Sequence, residues 1–68
     1  MIINNLKKIR MQEYMLNKRD FAKKLDIAEQ QYSRYENGQT SPSLEIAMKI
    51  AYTLQKKIDE IWTFNPTE

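Results

Sequence analysis

A chain of 68 residues with no cysteine and no histidine has to hold itself together with one hydrophobic core. No disulfide can staple it, and the usual ligands of a structural zinc ion are missing. A domain this small buries only about 60% of the surface its unfolded chain exposes, so a partner, most simply a second copy, is the expected source of extra stability. The apolar fraction of 41% and the single glycine point to a packed domain and not to a loop-rich or disordered chain. One domain over residues 1–68 is therefore expected. The longest apolar runs are too short to span a membrane, and the start, MIINNLKK, lacks the apolar stretch of a secretory signal. A cytoplasmic protein without membrane contact follows as the expectation.

The net charge of +2 is small, but it is unevenly placed. Residues 1–24 carry Lys7, Lys8, Arg10, Lys18, Arg19, Lys23 and Lys24 against only Glu13 and Asp20, while the rest of the chain is net acidic. A basic N-terminal half on a compact fold suits one face attractive to phosphate, and it equally suits a solvated lysine-rich helix surface.

Helical spacing dominates after the first four residues. Leu6, Ile9 and Tyr14 mark a first helix over 5–15, capped by Asn4 or Asn5. Asn17 is a cap for a short second helix, Lys18 to Leu25, with Asp20 in its first turn and Phe21, Ala22 and Leu25 inward. After a break at Asp26, Ile27 and Ala28, a third helix runs from Glu29 to Asn37, with Tyr32 and Tyr35 on one face. It stops at Asn37-Gly38, because glycine takes the left-handed conformation that ends helices. Ser43 caps a fourth helix whose buried face is expected to hold Leu44, Ala47, Ile50, Ala51 and Leu54. A fifth helix spans about Lys57 to Trp62. The apolar, β-favouring ends, Met1-Ile2-Ile3 and Thr63-Phe64-Asn65, have two readings: a small ribbon resting on the helices, or two frayed termini.

Two short helices joined by about three residues have helix-turn-helix geometry, in which the second helix enters the major groove of DNA. The stretch Phe21-Ala22-Lys23-Lys24-Leu25, then Ile27, then Tyr32-Ser33-Arg34-Tyr35-Glu36-Asn37-Gly38, Pro42-Ser43-Leu44, Ile50-Ala51 and Leu54 resembles the Cro/cI-type (XRE) helix-turn-helix family. The resemblance extends from about Leu6 to Trp62, and its most specific part is Ser33 to Gly38 through Pro42-Ser43-Leu44. MIINNLK at the start and PSLEIAMKIAYTL followed by Asp59-Glu60-Ile61-Trp62 are similar to the small cytolysin-type repressors of that family. The resemblance implies an all-α, five-helix lambda-repressor-like domain with a helix-turn-helix over about 18–37. It also implies a homodimer and an antiparallel ribbon joining the termini. The chain departs from the family pattern at Asp26 and Gln55, where glycine is usual, at Ala28, where a serine cap is usual, and at Lys18, where glutamine is frequent. The turn after the first helix is one residue longer than usual.

The expected roles follow. Glu29, Gln30 and Gln31 open the third helix and Arg34 lies a turn further on. Glutamine can bond bidentately to adenine, glutamate can accept from cytosine, and arginine can reach guanine or phosphate. Asn17 and Lys18 on one side, and Asn37, Gln39, Thr40 and Ser41 on the other, are expected at the DNA backbone. The resemblance implies a partly buried salt bridge between Arg10 and Glu36, a structural role for that carboxylate. Leu54, Ile58, Ile61 and Trp62 are the expected dimer interface. No nucleophile–base set and no phosphate loop is present, so neither an enzyme nor a cofactor, metal or small-molecule ligand is expected. The leading expectation is a homodimeric repressor reading an inverted repeat on double-stranded DNA. An antitoxin-type autoregulator and a protein-interaction module on the same fold are the alternatives.

Overall fold

The computed structural model describes residues 1–66. The order of elements is β1 (Ile2–Asn4), α1 (Leu6–Ile9) running on into a π-helical turn (Arg10–Tyr14), α2 (Lys18–Lys24), α3 (Glu29–Glu36), α4 (Leu44–Leu54), α5 (Ile58–Ile61) and β2 (Trp62–Phe64). The two strands pair antiparallel in the register Ile2 to Phe64, Ile3 to Thr63 and Asn4 to Trp62. The ribbon therefore forms, and it brings residues 2–4 and 62–64 together on one side of the bundle. It is anchored on the helices where the Asn5 N–H donates to the Ile61 carbonyl at 2.7 Å.

The core gathers one stripe from each helix: Leu6 and Ile9; Phe21, Ala22 and Leu25; Tyr32 and Tyr35; Ile50, Ala51 and Leu54; and Ile61. At its centre the Phe21 ring meets Tyr32 edge-on at 5.4 Å and Tyr14 at 5.3 Å. Such pairs add about 0.5–1.5 kcal/mol each beyond the area they bury. Tyr32 and Tyr35 are thus core residues with polar tips. Leu44 departs from expectation: it is 74% exposed. It is the first residue of α4 and stands at the rim of the core instead of above it.

The long connection after α1 has a physical form. Arg10–Tyr14 is a π-helical turn, which holds one more residue per hydrogen-bonded ring than an α-turn. It closes with Met15 in the left-handed region, and the Leu16 N–H reaches back to the Arg10 carbonyl at 3.4 Å. The extra residue is absorbed within the helix, and the capped start of α2 keeps its place: Asn17 Oδ1 accepts from the Asp20 N–H at 2.8 Å.

Three helices end in the same hydrogen-bond pattern. After α2, Asp26 N–H donates to the Lys23 carbonyl and Ile27 N–H to Ala22; after α3, Gly38 donates to Tyr35 and Gln39 to Arg34; after α4, Gln55 donates to Tyr52 and Lys56 to Ala51. This Schellman closure places one residue at positive φ, here Asp26 (60°), Gly38 (77°) and Gln55 (55°). Only Gly38 takes that conformation without steric cost, which explains why glycine is the usual residue at the other two positions. Asp26→Gly and Gln55→Gly should each raise stability by about 0.5–1 kcal/mol, seen as a higher urea midpoint at unchanged slope. The exposed Lys49–Asp26 pair, 3.2 Å apart, offsets little of that gain. An unchanged or lower midpoint for both would contradict the assignment of strain to these residues.

Among the described residues no helix is long and apolar enough to cross a membrane, and no group of three or more metal-ligating side chains comes together.

Candidate nucleic-acid interface

α2 and α3 pack as a helix-turn-helix pair joined by 25–28. α3 starts at Glu29 with Ala28 as its cap residue, in extended conformation and with no side-chain hydrogen bond. The missing cap costs about 1 kcal/mol, and the burial of Tyr32 and Tyr35 fixes the helix in its place.

Side chains advance about 100° per residue around a helix. Tyr32, Tyr35 and Glu36 occupy the inner arc of α3 and are buried. Glu29, Gln30, Ser33, Arg34 and, just beyond the end, Asn37 fall together on the outer arc. Glu29, Gln30, Arg34 and Asn37 are exposed, Ser33 is half-buried, and Gln31 is half-buried at the flank. Ser33 was not among the expected readers. Its position four residues after Glu29 is the signal that puts it on their face.

The inner arc is held by charge as well as by rings. Arg10 Nε donates to Glu36 Oε2 at 2.9 Å and Arg10 Nη2 to Oε1 at 3.4 Å, with both side chains nearly buried. Arg10 Nη1 donates to the Leu16 carbonyl at 2.9 Å, and the Tyr32 hydroxyl donates to Glu36 Oε2 at 2.8 Å. The salt bridge that the family resemblance implies is therefore present and ties α1 to α3. Burial by itself would raise the Glu36 pKa; the hydrogen bonds from Arg10 and Tyr32, with the nearby cations, outweigh it and hold the carboxyl below the usual carboxylate range. Burial, then the hydrogen bond to Glu36, pushes the Tyr32 phenol upward.

Lys18 stands half-buried across the α2–α3 groove. Its Nζ lies 3.7 Å from Glu36 Oε1 and 3.5 Å from Ser33 Oγ, so in the free protein it is turned toward α3. Asn17 uses its carboxamide oxygen as the cap of α2, which leaves its amide nitrogen as a donor. Asn37, Gln39, Thr40 and Ser41 are all exposed in the loop that follows α3. Glu29–Arg34 and this loop are contiguous, since the loop begins at the end of the same helix.

The expected dimer residues separate. Leu54 and Ile61 are 4% and 0% exposed, spent in the chain's own core, and have no surface to offer. The short α5 turns back over α4 and closes the core, which sequence spacing alone did not distinguish from an outward face. Ile58 and Trp62 remain accessible. They line an open apolar groove with Ile2, Ser41, Pro42, Leu44 and Ala47.

The helix-turn-helix family model matches residues 6–61. An uncharacterized HTH-type transcriptional regulator of Methanocaldococcus jannaschii is 38% identical over 53 residues, which cover 78% of this chain and 80% of that protein.

Proposed function

The chain belongs to the Cro/C1-type (XRE) helix-turn-helix family of DNA-binding transcriptional regulators, and on that premise we propose that it is a homodimeric repressor of an inverted-repeat operator. The observation that carries this reading is the outer arc of α3. It presents Glu29, Gln30 and Arg34 to solvent on a helix whose other face is locked by two tyrosines and a buried ion pair. A rigid helix with exposed amide, carboxylate and guanidinium groups fits hydrogen-bond readout of base edges in the major groove. Gln31 reads from the flank. Asn17 and Lys18 on one side, and Asn37, Gln39, Thr40 and Ser41 on the other, hold the phosphates; Lys18 exchanges Glu36 for a phosphate oxygen when it does so. The protein acts by occupying DNA, with no enzymatic step and no cofactor, and its operator is reached in the cytoplasm.

The groove around Ile58, Trp62, Ile2 and Leu44 suits a second copy, because it adjoins Ser41 and Pro42 at the end of the reading unit. Two copies joined there carry two α3 helices, and a repeat of about 34 Å matches one turn of the duplex.

Selection of bound sequences from random DNA, followed by gel shifts across a salt series, tests the reading. An enriched inverted repeat and a binding constant that falls steeply with salt are expected. Absence of any enriched sequence, or a salt slope near zero, would overturn it. Within the selected site, Gln30→Ala and Arg34→Ala should each cost about 1–3 kcal/mol and relax the preference at one base pair. An equal loss on every sequence moves that residue to the phosphate set.

One observation favours a second reading, the antitoxin-type autoregulator. Met48 and Tyr52 lie exposed one turn apart on α4, 57% and 85% accessible, in line with Leu44. That stripe fits a protein partner in addition to DNA. A pull-down with the product of a neighbouring gene separates the two readings.

A further inference from the structure

We propose that Asn4 is a positioning residue for the reading helix, tying the last turn of α3 to the terminal ribbon. The proposal rests on the DNA-binding reading above. Asn4 closes β1 and is half-buried, and both the nitrogen and the oxygen of its carboxamide are engaged. Its Nδ2 donates to the main-chain carbonyl of Tyr35 at 3.1 Å and to that of Glu36 at 3.3 Å, while its Oδ1 accepts from the Leu6 N–H at 3.1 Å. Those two carbonyls belong to the last turn of α3, where intrahelical donors run out. The Tyr35 carbonyl also accepts from Gly38 in the closing turn at 3.1 Å. One planar amide shared by two successive carbonyls fixes both the height and the rotation of the helix end.

On its other side Asn4 is paired with Trp62, and Asn5 continues the attachment through its N–H to the Ile61 carbonyl. Trp62 and Ile2 line the apolar groove. Asn4 therefore stands between that groove and the start of the loop from Asn37 to Ser41. Phosphate contacts set the register of a protein on its duplex, so the ribbon, acting through Asn4, sets where α3 lies in the groove.

Asn4→Ser separates this role from helix capping. A serine hydroxyl is itself a good acceptor at a helix start, so it can serve the Leu6 N–H, but it is too short to reach α3. Asn5→Ser is the control, because Asn5 Nδ2 donates to the Glu60 carbonyl at 3.3 Å and so joins the ribbon to α5 only. The first readout is amide hydrogen exchange without DNA. Gly38 and Gln39 should exchange at least about fivefold faster in Asn4→Ser than in the wild type or Asn5→Ser, while Ile50 and Ala51 keep their wild-type rates. The second readout is the ratio of affinity for the selected site to affinity for random duplex. That ratio should fall about tenfold in Asn4→Ser and stay unchanged in Asn5→Ser. Unchanged exchange at Gly38 and Gln39, or acceleration spread evenly over the core, overturns the tie. Faster local exchange with an unchanged affinity ratio overturns its bearing on recognition. A wild-type protein without preference for any DNA overturns the proposed function instead, and the exchange rates then still decide whether Asn4 holds α3.

Discussion

Arg10→Ala is expected to leave the domain largely unfolded at 25 °C. The substitution strips Glu36 of its bidentate partner while the carboxylate stays enclosed, its side chain only 2% exposed. Removing one member of a buried pair costs about 3–5 kcal/mol, and a domain of this length has little more than that in total. Circular dichroism during a urea titration measures it: the midpoint should fall close to zero denaturant. Replacing the whole cluster, Arg10→Met with Glu36→Leu and Tyr32→Phe, should recover most of the loss, because no buried charge or hydroxyl is then left unpaired. A loss below about 1 kcal/mol for Arg10→Ala would mean that this pair does not hold α1 to α3.

The same cluster sets how stability depends on pH. The Glu36 pKa is depressed in the folded state, so its contribution is complete above the unfolded carboxylate value of about 4.3 and is lost as pH falls through the lower folded value. The Tyr32 pKa is raised, so its contribution is complete below the unfolded phenol value of about 10 and is lost as pH rises beyond it. Midpoints measured across pH should therefore fall on both sides of a broad plateau. Tyr32→Phe should soften the alkaline decline.

Ile58→Lys is expected to leave the fold intact and to abolish tight operator binding. Ile58 is 39% exposed in the groove, so a lysine there can keep its ammonium in water, and the core beneath, closed by Leu54 and Ile61, is untouched. If the groove receives a second copy, the charge blocks it and each chain binds one half-site only. Affinity for the full inverted repeat should then drop by about 10³, toward the level of non-specific binding. Sedimentation at micromolar concentration reads the other half of the prediction: the wild type at twice 8.2 kDa and the variant at 8.2 kDa. A wild-type species of 8.2 kDa would remove the homodimer, and undiminished operator binding by the variant would move the interface elsewhere.

Much of the fold could be read directly from the residues because its signals are local. Asn17 and Ser43 announce α2 and α4 through bonds to an N–H three residues on, and both bonds are present. Asp26 and Gln55 stand where the family usually has glycine, and the structure gives the reason: both lie at positive φ. The helix-turn-helix pair followed from those boundaries, and Arg10 with Glu36 from the family pattern. The candidate site was legible in part: counting 100° steps gives the outer arc of α3, and the same count puts Ser33, absent from the expected readers, on that arc and Gln31 at its flank.

What the sequence by itself determined is therefore the helices after the first, their ends to within about a residue, and the helix proposed to read DNA, since each depends on residues within about four positions of one another; the pairing of the two termini it left open. Tertiary structure decided which apolar side chains close the core and which are left outside it. Leu54 and Ile61 go in while Leu44 and Ile58 stay out, because burial depends on how α4 and α5 cross, and residue spacing does not encode that angle. It also decided that an extra residue after α1 becomes a π-helical turn, and that Asn4, 31 residues away from Tyr35, bonds the carbonyls at the end of α3. The second arises from a contact between distant segments that exists only after the chain has closed.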